Sequence, residues 1–358
     1  MSLPRHVRSL HVPQVTLAAM LLSALVLGAP PGPGAADAAS QPSVPAALPL
    51  GTLKLNTGAD PTCPPIFTCQ RFAVRCPGTG SVDGFMATAP ATATTVGVVV
   101  FYSGTLGTEY WSGESAMALS RLDALRGDGF EVIQVRWTAG WLVAPAGQTL
   151  GPALLACRPA TVAKWIHDQV YVPLNLHPPL GACGYCLTGN SGGASQIAYA
   201  LAFYGLDGLV NAAVPTSGPV HAALTKGCLL SPGYEYQRTQ AQTIDKSYGY
   251  VSPPQGLGPC VTHDPSWTPV WNADSVDLGG TDYLYATTRI EIIIGGLDDS
   301  RAPAHAQDFD QALASAGTPY LKLTLVAQMG HQITNSVGGL NALQAALLGS
   351  VGTIPGPT

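Results

Sequence analysis

From residue 95 to residue 350 the chain alternates short apolar, β-branched runs with segments of helical period, and that alternation restricts the fold more than any other feature. "TVGVVVFY" (95–102), "FEVIQVRW" (130–137) and the runs at 183–188, 208–214, 289–294 and 319–327 read as strands. Between and after them, 112–127 (with a serine cap), 153–171, 192–204, 304–315 and 336–348 read as helices, with a potential break at Pro159. Near-continuous apolar strands joined through helices require a mostly parallel, twisted sheet with helices on both faces, an α/β fold. Upstream, "IFTCQRFAVRCP" and "SVDGFMATAP" read as two further strands of an opening hairpin or edge.

One stretch breaks the rhythm. Residues 219–287 carry little clear period and are rich in Pro, Gly and aromatics, among them Tyr234, Tyr236, Tyr248, Tyr250, Trp267 and Trp271. Connections of that length usually serve a function, so the expectation is a cap-like insertion tied by Cys228 and Cys260. A disulfide-stapled surface excursion is the competing reading.

The N-terminus carries Arg5 and Arg8, the apolar run "VTLAAMLLSALVLGA" and the small-residue stretch "GAADAAS". This is the layout of a secretory signal peptide over 1–38, cleaved near Ala38, and the run is short for a permanent membrane anchor. A Pro/Ala-rich linker (39–58) precedes the main domain (59–358). The expected product is exported, extracellular or periplasmic. Charged residues make up only 10% of the chain and net charge is −5, with no basic stripe, so nucleic acid is not an expected partner.

Eight cysteines, at 63, 69, 76, 157, 183, 186, 228 and 260, fit a disulfide framework in an exported chain. Cys183 and Cys186 resemble a C-x-x-C redox pair. If they lie in an extended strand their separation exceeds disulfide reach, and each then bridges another cysteine. Thiol chemistry is disfavoured further because the next helix starts only after Ser191.

That helix start is where the chemistry gathers. Gly189-Asn190-Ser191-Gly192-Gly193 satisfies G-x-S-x-G between a strand and a helix, the context in which a serine is held exposed on a tight turn. A serine hydroxyl needs a base oriented by an acid. Downstream, "GGLDDS" supplies Asp298 and Asp299 after a strand, and "VAQMGHQI" supplies His331 between the last strand and the last helix. His221, His263 and His305 sit in the insertion or beside a helix start, and His167 falls in an expected helix.

With these motifs in register over roughly residues 95–350, the chain resembles the α/β-hydrolases. The resemblance implies that fold, with the insertion between its sixth and seventh strands, and a Ser191–His331–Asp298 triad. Counting three residues from Gly295 gives Asp298, whereas counting from Gly296 gives Asp299; Gly295 follows the apolar run directly, which favours Asp298. It also implies an oxyanion hole from the N–H of Gly192 and from Thr105 or Leu106 in "YSGTLGTEYW", of which Thr105 is taken forward. Tyr110, Trp111, Trp137 and Trp141 follow strands whose ends face such a site; they are read as substrate-lining or as core, with Tyr110, Trp111 and Trp141 the candidates for substrate binding.

The activity so implied is acyl transfer on carboxylic esters, small or polymeric, with no metal and no organic cofactor. H-E-x-x-H, a P-loop and a strand-borne G-x-G-x-x-G are all missing from the sequence. An exported serine peptidase of the same fold is the alternative, for which Glu235 and Asp245 are candidate holders of a peptide terminus. A non-catalytic binding protein is the third reading. Sequence leaves oligomeric state open.

Overall fold

In the computed structural model, which describes residues 46–251 and 257–350, Val98, Val100 and Tyr102 pack into one core while Val99 and Phe101 pack into another. A strand so divided is buried on both faces. It is β4 (Gly97–Tyr102) of a nine-stranded sheet. The other strands are β1 (Thr52–Asn56), β2 (Thr68–Cys76), β3 (Gly80–Ala89), β5 (Phe130–Trp137), β6 (Tyr185–Asn190), β7 (Ala212–Thr216), β8 (Arg289–Gly295) and β9 (Leu321–Val326). Their spatial order is β1-β2-β3-β5-β4-β6-β7-β8-β9. The pairs β1–β2, β2–β3 and β3–β5 are antiparallel, and every pairing from β5 to β9 is parallel.

Among the described residues the helices are α1 (Ala116–Gly127), α2 (Gly151–Leu155), α3 (Cys157–Ile166), α4 (Gly192–Tyr204), α5 (Leu224–Cys228), α6 (Arg238–Ser247), α7 (Pro259–Thr262), α8 (Thr268–Asp274), α9 (Ala302–Ala316) and α10 (Val337–Leu348). α1 and α10 cover one face of the sheet; α3, α4 and α9 cover the other. None of them is long and apolar enough to cross a membrane.

Several expectations need correction. The signal segment 1–38 lies outside the described residues, but part of the expected linker does not: Thr52–Asn56 is the edge strand β1, paired along its length with β2. Leu53 and Leu55 do alternate with Thr52, Lys54 and Asn56, but five residues are too short a run to stand out as a strand. The helix expected at 112–127 begins at Ala116, since Trp111–Glu114 is a separate 3-10 turn, and the expected serine cap is Ser115, which accepts the Ala118 N–H. The break expected at Pro159 falls at Ala156 instead. Pro159 sits in the first turn of α3, where a missing N–H costs nothing.

The insertion after β7 contains four short helices, α5 to α8, anchored by the Cys228–Cys260 disulfide. Three further disulfides join Cys63 to Cys69, Cys76 to Cys157, and Cys183 to Cys186. The last overturns the expected geometry. Residues 180–184 form a bend, and β6 starts only at Tyr185, so the two Cα atoms stand 5.5 Å apart rather than at strand spacing.

Candidate functional site

β6 runs buried beneath both helical layers and ends at Asn190; α4 starts at Gly192. Ser191 alone makes the reversal, with φ 57° and ψ −112°, a conformation that a residue bearing a Cβ adopts only when its surroundings force it. The forcing is visible in its neighbours. A Cβ on Gly193 would lie 2.2 Å from the Tyr102 carbonyl oxygen, and one on Gly192 would lie 2.1 Å from that of Thr105. Strand β4, the loop after it and the start of α4 are therefore pressed together, and the serine side chain is left standing clear.

His331 arrives from the loop after β9. Its Nε2 lies 2.9 Å from Ser191 Oγ, and its Nδ1 lies 3.0 Å from Asp298 Oδ2, on the turn that follows β8. Of the two adjacent aspartates, Asp298 is the one that reaches the imidazole. Its side chain is fully buried, whereas that of His331 is partly exposed. Burial alone would raise the Asp298 carboxyl, but the hydrogen bonds from His331 and Ser300 outweigh it and hold the group below its ordinary value. A fixed carboxylate of this kind orients the ring and keeps Nε2 available to accept a proton.

Strand order, a strand–turn–helix reversal at the serine, and an acid and a histidine following the last two strands together decide the architecture. This is the α/β-hydrolase fold. No protein-family model and no curated protein matches the chain in sequence. Among solved structures, the chain is similar to Est1E from Butyrivibrio proteoclasticus, with 12% identity over 77% of this chain and 94% of that one and a TM-score of 0.47. It is likewise similar to a hyperthermophilic esterase from the archaeon Pyrobaculum calidifontis (17% identity, 79% and 85% coverage, TM-score 0.49). A third similar structure is an acylaminoacyl peptidase from Pyrococcus horikoshii, with 10% identity over 78% of this chain but only 40% of that one and a TM-score of 0.44.

On this α/β-hydrolase scaffold the loop after β4 adjoins the serine. A Cβ on Gly192 would fall 2.7 Å from the Thr105 backbone nitrogen, so the two expected amide donors are neighbours. Thr105 has φ 50°, and its N–H has no hydrogen-bond partner among the described residues. The Gly192 N–H belongs to the first turn of α4, where helix geometry supplies no acceptor and the macrodipole favours negative charge.

Ser191 and His331 open onto a hollow of about 290 Å³. Thr105 and Ser300 flank them, the loop after β7 contributes Val220 and His221, and the beginning of α6 contributes Gln237, Thr239, Gln240 and Thr243. Apart from Val220 the lining residues are of polar type, although much of the surface they present is the apolar part of their side chains, and no carboxylate lines the hollow among the described residues. The aromatic residues expected to line the site do not. Trp111 and Trp141 are fully buried core residues, and Tyr110 is buried with its hydroxyl donating to Asp60. Trp137, also fully buried, donates its indole N–H to Gln196. Trp137 ends β5, the other three lie in the segments that follow β4 and β5, and all four are buried in packed layers. The acids considered for a peptide terminus are engaged elsewhere: Glu235 with Arg301, and Asp245 with the N–H groups of Cys260 and Val261.

Sequence reasoning missed three contributors. Ser300 donates to Asp298 Oδ1 at 2.6 Å and lies 2.8 Å from His331 Nδ1, so it braces both. Its signal was its place two residues beyond Asp298, the spacing at which a serine closes a turn onto an aspartate. Glu114 accepts from the Gly104 N–H and from the Thr334 hydroxyl, joining the loop after β4 to the segment after His331. Burial pushes its carboxyl up to about 7. His221 is the third, and nothing local in the sequence distinguishes it.

Proposed function

We propose that the chain is an exported serine hydrolase that cleaves carboxylic esters through an acyl-enzyme intermediate. The observation that carries this reading is the continuous chain Ser191 Oγ–His331 Nε2 and His331 Nδ1–Asp298 Oδ2, at 2.9 and 3.0 Å. Ser191 attacks the ester carbonyl while His331 takes its proton. The N–H groups of Gly192 and Thr105 receive the charge that develops on the carbonyl oxygen. His331 then returns the proton to the departing alcohol, and water repeats the sequence to release the acid. Asp298 holds the imidazole throughout and Ser300 holds Asp298.

Export is supported by the basic-then-apolar N-terminus and by four disulfides. Esters are favoured over peptides with a free amino terminus because, among the described residues, no carboxylate lines the hollow to hold one. The test is labelling by a fluorophosphonate probe together with hydrolysis of p-nitrophenyl esters and aminoacyl-nitroanilides. Wild-type protein is expected to be labelled and to turn over the esters, and Ser191→Ala to do neither. Turnover of the anilides alone would replace the esterase reading by the peptidase one; absence of both labelling and turnover would leave a binding protein.

A further inference from the structure

His221 is 3% exposed, yet it lines the same hollow as Ser191. The loop that carries it lies against the serine turn: a Cβ on Gly218 would stand 2.9 Å from the Ser191 carbonyl oxygen. The imidazole packs beside Trp141 and Tyr236, with ring centroids 6.4 Å away in each case. Its Nδ1 is sealed from solvent and has no hydrogen-bond partner among the described residues, whereas Nε2 is not sealed. Burial, reinforced by nearby His305, pushes the group down to about 3, which favours the neutral ring with one N–H near neutral pH. A proton on Nδ1 would be a buried donor with nothing to receive it. On Nε2, which is not sealed, it is free to be accepted by a molecule bound in the hollow that His221 lines.

A second donor faces the same space. Gln240 uses its carbonyl oxygen to accept the Gln237 N–H at 2.8 Å, which leaves its amide hydrogens to the hollow. The lining thus carries donors that a plain alkyl chain would leave without an acceptor.

Resting on the serine-hydrolase reading, we propose that His221 is a specificity-determining donor and that this site selects esters bearing an additional oxygen acceptor close to the scissile bond over alkyl esters of equal length. Hydroxy-, alkoxy- and oxo-substituted esters belong to this class. A site built to donate to such an oxygen loses that hydrogen bond when a methylene replaces it, and the donor is left unpaired.

Two isosteric pairs test it. p-Nitrophenyl methoxyacetate against p-nitrophenyl butyrate places oxygen or methylene on the acyl side; 2-methoxyethyl acetate against butyl acetate does so on the alcohol side. Each kcat/KM is divided by the hydroxide-catalysed rate of the same ester, which removes intrinsic reactivity. Wild-type protein is expected to favour the ether-bearing member by roughly tenfold or more in at least one pair. His221→Phe, which keeps an aromatic wall against Trp141 and Tyr236, is expected to erase that preference, and His221→Gln, which keeps a donor, to retain part of it. A corrected ratio near one in both pairs for the wild type overturns the proposal without recourse to any variant. So does a folded His221→Phe that keeps the wild-type ratio. Absence of fluorophosphonate labelling and of turnover in all four esters would instead remove the serine-hydrolase reading beneath it.

Discussion

At the scale of the residue, the site depends on which of two adjacent carboxylates faces the imidazole. Asp298 is buried and accepts from His331 and twice from Ser300, through its backbone N–H and its hydroxyl. Asp299 has no such contact. Asp298→Asn keeps the shape but presents the ring with a different partner, and a loss in kcat on the order of 10⁴ is expected. Asp299→Asn is expected to change kcat less than threefold, within what surface substitutions produce. Steady-state kinetics of the two variants on one p-nitrophenyl ester decides between them; equal losses would contradict the assignment. Sequence counting had pointed to Asp298 through Gly295. For Ser300 it offered only the two-residue spacing from Asp298; that the hydroxyl reaches both Asp298 and His331 depends on the turn after β8 folding it back.

At the scale of the element, the insertion after β7 is where sequence patterning was least informative. Its helices are short, the longest being the ten residues of α6, and three or fewer turns leave little periodicity to read. What holds them is partly covalent. The Cys228–Cys260 disulfide spans 32 residues and joins α5 to α7. By the chain-entropy argument, closing a loop of that size contributes about 3–4 kcal/mol. Replacing both cysteines by serine is therefore expected to lower the urea midpoint substantially. Because α6 supplies a wall of the hollow, the same variant is expected to raise KM for esters more than it lowers kcat. An unchanged midpoint would show that packing alone, through buried Ile244, Tyr248 and Trp271, secures the segment.

At the scale of the whole molecule, the site is assembled from loops after β4, β6, β7, β8 and β9, and Glu114 ties the first of these to the last. Its carboxyl is raised from an ordinary 4.5 to about 7, chiefly by burial. A raised carboxyl favours the folded state only while protonated. Its stabilising effect is complete below about pH 4.5 and is lost as pH rises toward 7. Glu114→Gln removes the charge while its one carbonyl oxygen still accepts the Gly104 N–H and its amide nitrogen donates to the Thr334 hydroxyl, so its stability relative to wild type is expected to grow across that window and level off above it. The gain at pH 8 should be on the order of 3 kcal/mol. Denaturant midpoints of the two proteins at pH 5 and pH 8 measure this, and a difference independent of pH would refute it. Sequence by itself determined the parallel sheet, the strand–turn–helix at Ser191 and the three residues the fold draws into hydrogen-bonding range. Each of these is written in local period or in a motif a few residues long. Only the tertiary structure decided that Tyr110, Trp111 and Trp141 are core, that Cys183 bridges Cys186, and that Ser300, Glu114 and His221 surround the site. Those outcomes depend on where distant loops meet and which way side chains point, and neither leaves a trace in nearest-neighbour order.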